Sequence, residues 1–193
     1  MYEYLKGKAE ELNPSYVIVN VSDIGFFVNI SVNTYSKLSV NTVYKLYIHQ
    51  VIREDTNILF GFFDKEEREV FRLLISVSGI GPNTARMMLS SISTEEVRKS
   101  ILEGDVNTLK SIKGIGLKTA QRVIVDLKDK IGKIAVGEEF SLFESNTVRD
   151  EALSGLVMLG FNKKSAEIAI EKILKSDKNL TVEDLIKKTL KII

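Results

Sequence analysis

A glycine-hydrophobic-glycine triplet occurs twice in this chain, 35 residues apart, and no other pattern constrains the fold as strongly. Gly79-Ile80-Gly81 matches Gly114-Ile115-Gly116, Thr84-Ala85 matches Thr119-Ala120, Leu74 matches Leu109, and Leu89 matches Ile124. Coincidences of this kind at a single offset mark a duplicated supersecondary unit, since a solenoid needs at least three copies. Each triplet stands between stretches of helical period, which predicts a helix-hairpin-helix. Its glycines let the backbone turn tightly and let a ligand come close, and the helix that follows opens with unpaired N–H groups and the positive end of its dipole. Such a terminus holds phosphate oxygens without reading bases. Pro82, at the first helical position, gives up an N–H that has no intrahelical partner anyway. In the second copy Lys118 and Arg122 stand one turn apart on the hairpin face and add charge to the backbone donors. The residues expected to face DNA are therefore Gly79, Ile80, Gly81, Asn83 and Thr84 in the first copy, and Gly114, Ile115, Gly116, Leu117, Lys118, Thr119 and Arg122 in the second. One triplet alone would be an ordinary helix-helix turn. Duplication beside basic residues favours DNA.

Other glycine-rich phosphate sites do not fit. A dinucleotide fingerprint needs a preceding strand and a third glycine where Thr119 stands. Gly116-Leu117-Lys118-Thr119 lacks the adjacent Gly-Lys-Thr of a nucleotide-binding loop.

The total charge gives no hint of DNA. The 193 residues carry 27 Lys and Arg against 26 Asp and Glu, a net +1. Counted by segment the picture changes: residues 1 to 63 carry 5 basic and 6 acidic groups, residues 64 to 133 carry 13 and 10, and residues 134 to 193 carry 9 and 10. The positive excess sits on the hairpin segment, so a polyanion site here depends on segregated charge. No cysteine is present, which excludes a disulfide framework, a thiolate zinc site and a cysteine nucleophile, and fits a reducing compartment. The N-terminus lacks the basic and apolar regions of a signal peptide, and no apolar run reaches the ~20 residues that span a bilayer, so a cytoplasmic protein is expected. Neither a cofactor nor a metal nor a catalytic residue is expected.

Before the repeat, residues 1 to 63 alternate with period two. Strands are expected around Tyr4 to Leu12, Tyr16 to Val21, Gly25 to Ile30, Thr42 to Arg53 and Asn57 to Phe63, with Gly25 relieving the turn after Ser22-Asp23. Five short strands in ~60 residues suit a small closed barrel of the OB type. His49, in one of them, is expected to pack or to lie on the surface. At Asp64 the period becomes helical. Asp64 with Glu67, and Ser93 with Glu96, read as capping boxes, and Gly104 is placed to end the second of these helices. Residues 137 to 147 have no period and read as a linker, in which Phe140, Leu142 and Phe143 are candidates for docking. Three helices are expected beyond it: Val148 to Leu159 stopped by Gly160, Lys163 to Leu174 capped by Asn162, and Val182 to Ile192 capped by Thr181.

In order and spacing the chain resembles the RuvA family of Holliday-junction-binding subunits. The resemblance is carried by Val51-Ile52-Arg53-Glu54-Asp55 leading to Leu59-Phe60-Gly61-Phe62, by Ser78 to Pro82, and by Gly114 to Ala120 with Arg122 and Asp126-Leu127-Lys128-Asp129. Leu156-Val157-Met158-Leu159-Gly160-Phe161 completes it. It implies a multidomain β-then-α chain: an OB-fold barrel over 1–63, a tandem helix-hairpin-helix domain over 64–136, a flexible linker over 137–147, and a small three-helix, UBA-like domain over 148–193 that contacts the hexameric ATPase RuvB. It also implies a non-catalytic subunit, assembled as a homotetramer or octamer, that holds a four-way junction open and planar. The motor is then recruited for branch migration in recombination, repair and fork rescue, with the resolvase RuvC a further possible partner. Glu54 and Asp55 match the family's acidic pin, which repels phosphates from the centre of the junction. Asn83 departs from the family, which often has Lys there, and Arg86, one turn on, is a candidate to compensate. The linker is also short for the family, which bears on how far the last domain can swing.

Two rival classes remain at this level. A helix-hairpin-helix glycosylase or nuclease would use the same hairpins with Asp126 close by, and would need a base-sized pocket. A general single-strand adaptor would use barrel aromatics such as Tyr16, Phe26, Phe27, Tyr44 and Tyr47 as stacking platforms.

Overall fold

Residues 1–132, 148–176 and 180–192 are described by the computed structural model of the chain; the expected linker, with Phe140, Leu142 and Phe143, lies outside them. The apolar residues of the first segment, most of them β-branched, alternate inward. Val17, Val19, Val28, Ile30, Leu46 and Ile48 are buried together, which is what a pleated strand with one face on a core requires. Five strands, β1 (Tyr4–Asn13), β2 (Tyr16–Val21), β3 (Ile24–Ile30), β4 (Val43–Ile52) and β5 (Asn57–Phe62), close in the order β1-β2-β3-β5-β4. β1 pairs with both β2 and β4, and β3 runs parallel to β5. The expected OB-type barrel is what forms. A single turn, α1 (Val32–Tyr35), follows β3.

The turn between β2 and β3 corrects one expectation. Its left-handed residues are Ser22 (φ 53) and Asp23 (φ 65), while Gly25 pairs with Asn20 inside the ladder. Positive φ at both central residues suits the right-handed twist of the strands, and a short polar Asp side chain tolerates it, so the hairpin does not depend on Gly25.

Five helices complete the first compact unit, Met1–Gly137. They are α2 (Lys65–Ile75), α3 (Pro82–Ser91), α4 (Thr94–Glu103), α5 (Val106–Ser111) and α6 (Leu117–Ile131). Helix α4 begins with the expected capping box, in which Ser93 Oγ accepts from Glu96 N and the Glu96 carboxylate accepts from Ser93 N; Gly104 (φ 75) ends it. Helix α5, too short to show a period in the sequence, is held by Asp105, whose carboxylate accepts from the N–H groups of Asn107 and Thr108.

β5 is buried on both faces, which the alternating pattern alone does not reveal. Leu59 points into the barrel, whereas Phe60 and Phe62 join the helical core and meet Phe71 of α2 with ring centroids 5.2 and 4.9 Å apart. His49 packs on the same Phe71 ring, and burial lowers its pKa. Barrel and hairpin helices therefore share an aromatic seam.

The same seam overturns the capping box expected at Asp64. Asp64 is the N-cap of α2 but makes no side-chain cap bond; it pairs instead with Lys37. Glu67 is buried beneath α1, where Ser31 Oγ and Thr34 Oγ1 both donate to its carboxylate. Tertiary hydroxyls have captured the group that a local cap would use. Burial raises the Glu67 pKa above the usual glutamate range, against the opposing pull of those two hydroxyls and Lys37. The folded state thus binds this proton more tightly than the unfolded chain, so stability falls as pH rises from the ordinary glutamate range through the folded value. Glu67→Gln is expected to be worse than wild type at pH 4 and to close much of that gap by pH 7. Urea unfolding at the two pH values measures this, and a gap that widens with pH contradicts it.

The second unit, Glu138–Ile193, has its own core. Helices α7 (Val148–Met158), α8 (Lys163–Ser176) and α9 (Val182–Leu190) bury Ala152, Leu156, Ala166, Ile170, Ile173 and Leu185. Gly160 (φ 95) stops α7, with Phe161 N donating to Leu156 O at 3.1 Å. Asn162 Oδ1 accepts from Lys164 N at 3.0 Å, and Thr181 Oγ1 from Asp184 N at 3.2 Å, as the sequence leads one to expect.

Candidate nucleic-acid interface

The two glycine triplets adopt one conformation. Gly79 and Gly114 are left-handed at φ 96 and 91, a region that side chains rarely enter. Gly81 and Gly116 are the N-caps of α3 and α6, at φ/ψ −86/169 and −84/168. Between them Ile80 N donates to Val77 O and Ile115 N to Ile112 O, both at 3.0 Å. The amide of residue 85 or 120 then closes the first helical turn on the N-cap carbonyl, at 2.9 Å in each copy. Every one of these pairs is 35 residues apart, so the repeat seen in sequence is a repeat of backbone geometry.

This geometry sorts the expected residues. Ile80 and Ile115 are buried in the helical core and their N–H groups are already bonded, so they anchor the hairpins and expose the glycines on either side. Neither N-cap has a side chain to bond the first amides. The N–H groups of Asn83 and Thr84 in α3, and of Leu117, Lys118 and Thr119 in α6, lie in first turns that no side chain caps. Asn83, Leu117, Lys118 and Arg122 are exposed, and Thr84 and Thr119 are partly so. Arg122 Nη1 also donates to Ser78 O at 3.4 Å, which brings the cation of the second helix beside the first hairpin. No residue pattern announces that link, because a backbone carbonyl carries no residue signature.

Arg86 does not take the place of a lysine at position 83. It is half-buried against the barrel, with Nη1 donating to Ser15 O at 2.8 Å and to Asn29 Oδ1 at 3.1 Å, and burial lowers its pKa. A guanidinium held in this way is spent on the fold.

Glu54 and Asp55 form the tip of the β4–β5 hairpin. Arg53 N donates to Thr56 O at 2.8 Å across its base, and both carboxylates are exposed, with no ion pair among the described residues. A concentration of bare negative charge repels phosphate and steers it elsewhere.

Features for the rival chemistries are located elsewhere or occupied. Asp126 is exposed on α6. A cavity of about 270 Å³ is lined by residues including Asn33, Lys37, Asp64, Glu67, Ser93 and Glu95, and no hairpin residue borders it. Among the barrel aromatics, Tyr44 packs on Phe63 and Tyr47 is faced by Lys45, Lys65 and Arg68. Phe26 meets Tyr2 edge-on, while Tyr16 and the exposed Phe27 stack on each other with centroids 4.6 Å apart. Among the described residues no cluster of His, Asp or Glu is arranged to hold a metal ion, and no helix is long and apolar enough to cross a membrane.

Three family models match the chain. Residues 1–61 match the family described as RuvA N terminal domain, residues 71–129 the SAM-like helix-hairpin-helix tandem, and residues 147–193 the RuvA C-terminal domain. A protein of Christiangramia forsetii is 50% identical over 191 residues, covering 99% of both chains. One of Flavobacterium psychrophilum is 49% identical over 191 residues, and one of Bacteroides fragilis 49% over 199, again with 99% of each chain covered. All three bear the name Holliday junction branch migration complex subunit RuvA.

Proposed function

The chain belongs to the RuvA family, and on that premise we propose that it binds Holliday junctions through its two hairpins and serves a branch migration complex without catalysing a reaction itself. One observation carries the assignment of the contact. Gly81 and Gly116 have backbone angles open to any residue, and a Cβ built on either meets nothing within 4 Å. Neither backbone strain nor lack of space therefore requires glycine at these two positions, where its advantage within the fold is that of a modestly better N-cap. A molecule outside the chain does require it, because a bare N-cap lets phosphate oxygens approach the amides of the first turn.

In this reading Gly79, Ile80, Gly114 and Ile115 shape the hairpins, and Gly81, Asn83, Thr84, Gly116, Leu117, Lys118 and Thr119 present the donors. Arg122 adds charge between the two copies. Glu54 and Asp55 act as an acidic pin: four copies around a symmetry axis bring their tips to the crossover and keep the strands apart, which favours an open planar junction. We take the assembly to be a homotetramer, with an octamer as its doubled form, and the segment 148–193 to be the contact with the ATPase RuvB. RuvC joins as a resolvase partner, and the cytoplasm is the compartment in which this occurs.

The test is competition between a labelled four-way junction and linear duplex or single strand of the same sequence. The junction must win clearly, and cleavage or base release in the presence of Mg²⁺ would sink the reading. In the same assay Lys118→Ala with Arg122→Ala is expected to weaken junction binding and to reduce the salt slope by up to about two, each phosphate contact contributing ~0.9. An unchanged slope rejects their role at the backbone.

A further inference from the structure

We propose that Arg86 is a positioning residue that fixes the first hairpin against the barrel, and that junction selectivity depends on it. The inference rests on the junction-binding reading above and adds a residue that touches no DNA.

The two hairpins are attached differently. Helix α6 packs on α2, α4 and α5. Helix α3 packs on α2, α1 and α4, and polar bonds from the barrel segment reach its middle and its end. At its middle Arg86 bonds Ser15 O, in the β1–β2 turn, and Asn29 Oδ1, on β3. At its end Asn33 Nδ2, from α1, bonds Leu89 O at 2.6 Å and Ile92 O at 3.1 Å, and Val32 N donates to Ser90 Oγ at 3.1 Å. Asn29 passes the connection on, since its Nδ2 donates to Leu59 O at 3.3 Å. Leu59 lies on β5, and β5 begins just after the tip formed by Glu54 and Asp55. A chain of hydrogen bonds thus runs from one turn inside the first hairpin helix to the strand that leads back to the acidic tip.

A linear duplex needs only the hairpin amides. A four-way junction needs hairpins and tip at once, so its affinity contains the effective concentration of one element relative to the other, and this depends on how rigidly they are joined. A strut matters for the second ligand and not for the first. Arg86 suits the role because the two N–H groups of its Nη1 are fixed in the guanidinium plane and hold two acceptors in one geometry, and because without it Asn29 Oδ1 loses its donor while Ser15 O keeps only Ile30 N, at 3.1 Å.

The experiment uses the full chain with Arg86→Met, which keeps the aliphatic packing, together with Arg86→Lys, Asn29→Ala and the double Arg86→Met/Asn29→Ala. Affinities for a four-way junction and for linear duplex are measured over a salt series. Arg86→Met is expected to lose about fivefold in junction affinity, the size of one weakened charged hydrogen bond, with duplex affinity and both salt slopes unchanged. Lysine restores part of the loss, and the double variant is no worse than Arg86→Met, since both changes cut one strut. A parallel fall for junction and duplex overturns the proposal by making Arg86 merely structural. So does a salt slope reduced by about one, which would make it a phosphate contact. Failure of the junction-binding reading is seen separately, in a wild-type protein that does not prefer the junction.

Discussion

Alanine at both Gly81 and Gly116 is expected to lower junction affinity by about a hundredfold while leaving the thermal midpoint almost unchanged. A methyl group at each N-cap stands in the space through which phosphate reaches the first-turn amides, and a hydrogen bond to a charged acceptor is worth ~1.5–3 kcal/mol, so two impaired sites account for a loss of about this size. The stability side is a near cancellation. Alanine restricts the unfolded chain and gains roughly 0.4–1 kcal/mol where the native angles allow it, as they do here at φ −86 and −84. It is also a poorer N-cap than glycine, which costs a similar amount. Gly79→Ala and Gly114→Ala are the contrast, since at φ 96 and 91 a Cβ is strained by about 1–2 kcal/mol, and these variants should unfold earlier whatever they bind. Titration of a labelled junction beside thermal melts separates the two classes. If Gly81→Ala/Gly116→Ala binds as wild type does, the hairpin mouths are not the DNA contact.

That division within each triplet explains how much was legible in the chain. The duplication announced itself because both copies obey the same steric rules at the same spacing, and the barrel did so because β-branched residues alternate. What stayed hidden is tertiary. Asp64 and Glu67 have the spacing of a capping box, but a buried Ser31 and Thr34 offered the Glu67 carboxylate better partners than its own helix could. Phe60 and Phe62 alternate with Leu59 like the outer face of any strand, and only the arrival of Phe71 makes that face a second core. In the sequence Arg86 reads as a free cation one turn into a helix expected to bind phosphate. It is bonded to a carbonyl 71 positions earlier, and nothing local distinguishes a spent guanidinium from an available one. Gly25 misled for the opposite reason: a glycine beside a turn suggests a need for positive φ, but Ser22 and Asp23 supply it. Local rules thus located the hairpins, and long-range hydrogen bonds decided which side chains around them remain free to meet a ligand.

Removal of residues 148–193 is expected to abolish branch migration driven by the ATPase and to leave junction affinity within about twofold of wild type, the range of changes distant from a binding surface. The cores of the barrel and of the hairpin helices are built from residues 5 to 131, and that of the last three helices from residues 152 to 185, so the deletion takes no buried side chain from the hairpins. It does remove an apolar surface. At the end of α7, Val157, Met158 and Leu159 are exposed at 42%, 86% and 62%, and Ile168 on α8 at 69%, more apolar surface than a small helical unit has reason to leave in water. A point variant narrows the assignment: Met158→Asp places a charge on that surface, outside the core formed by Ala152, Leu156 and Ile170, and so should spare folding while uncoupling the motor. Junction titration and a strand-exchange assay with the ATPase present read the two functions independently. Loss of junction binding in the truncated chain would move part of the DNA contact into the last three helices. Retained migration would free them from the motor, and their exposed apolar residues would then need another partner.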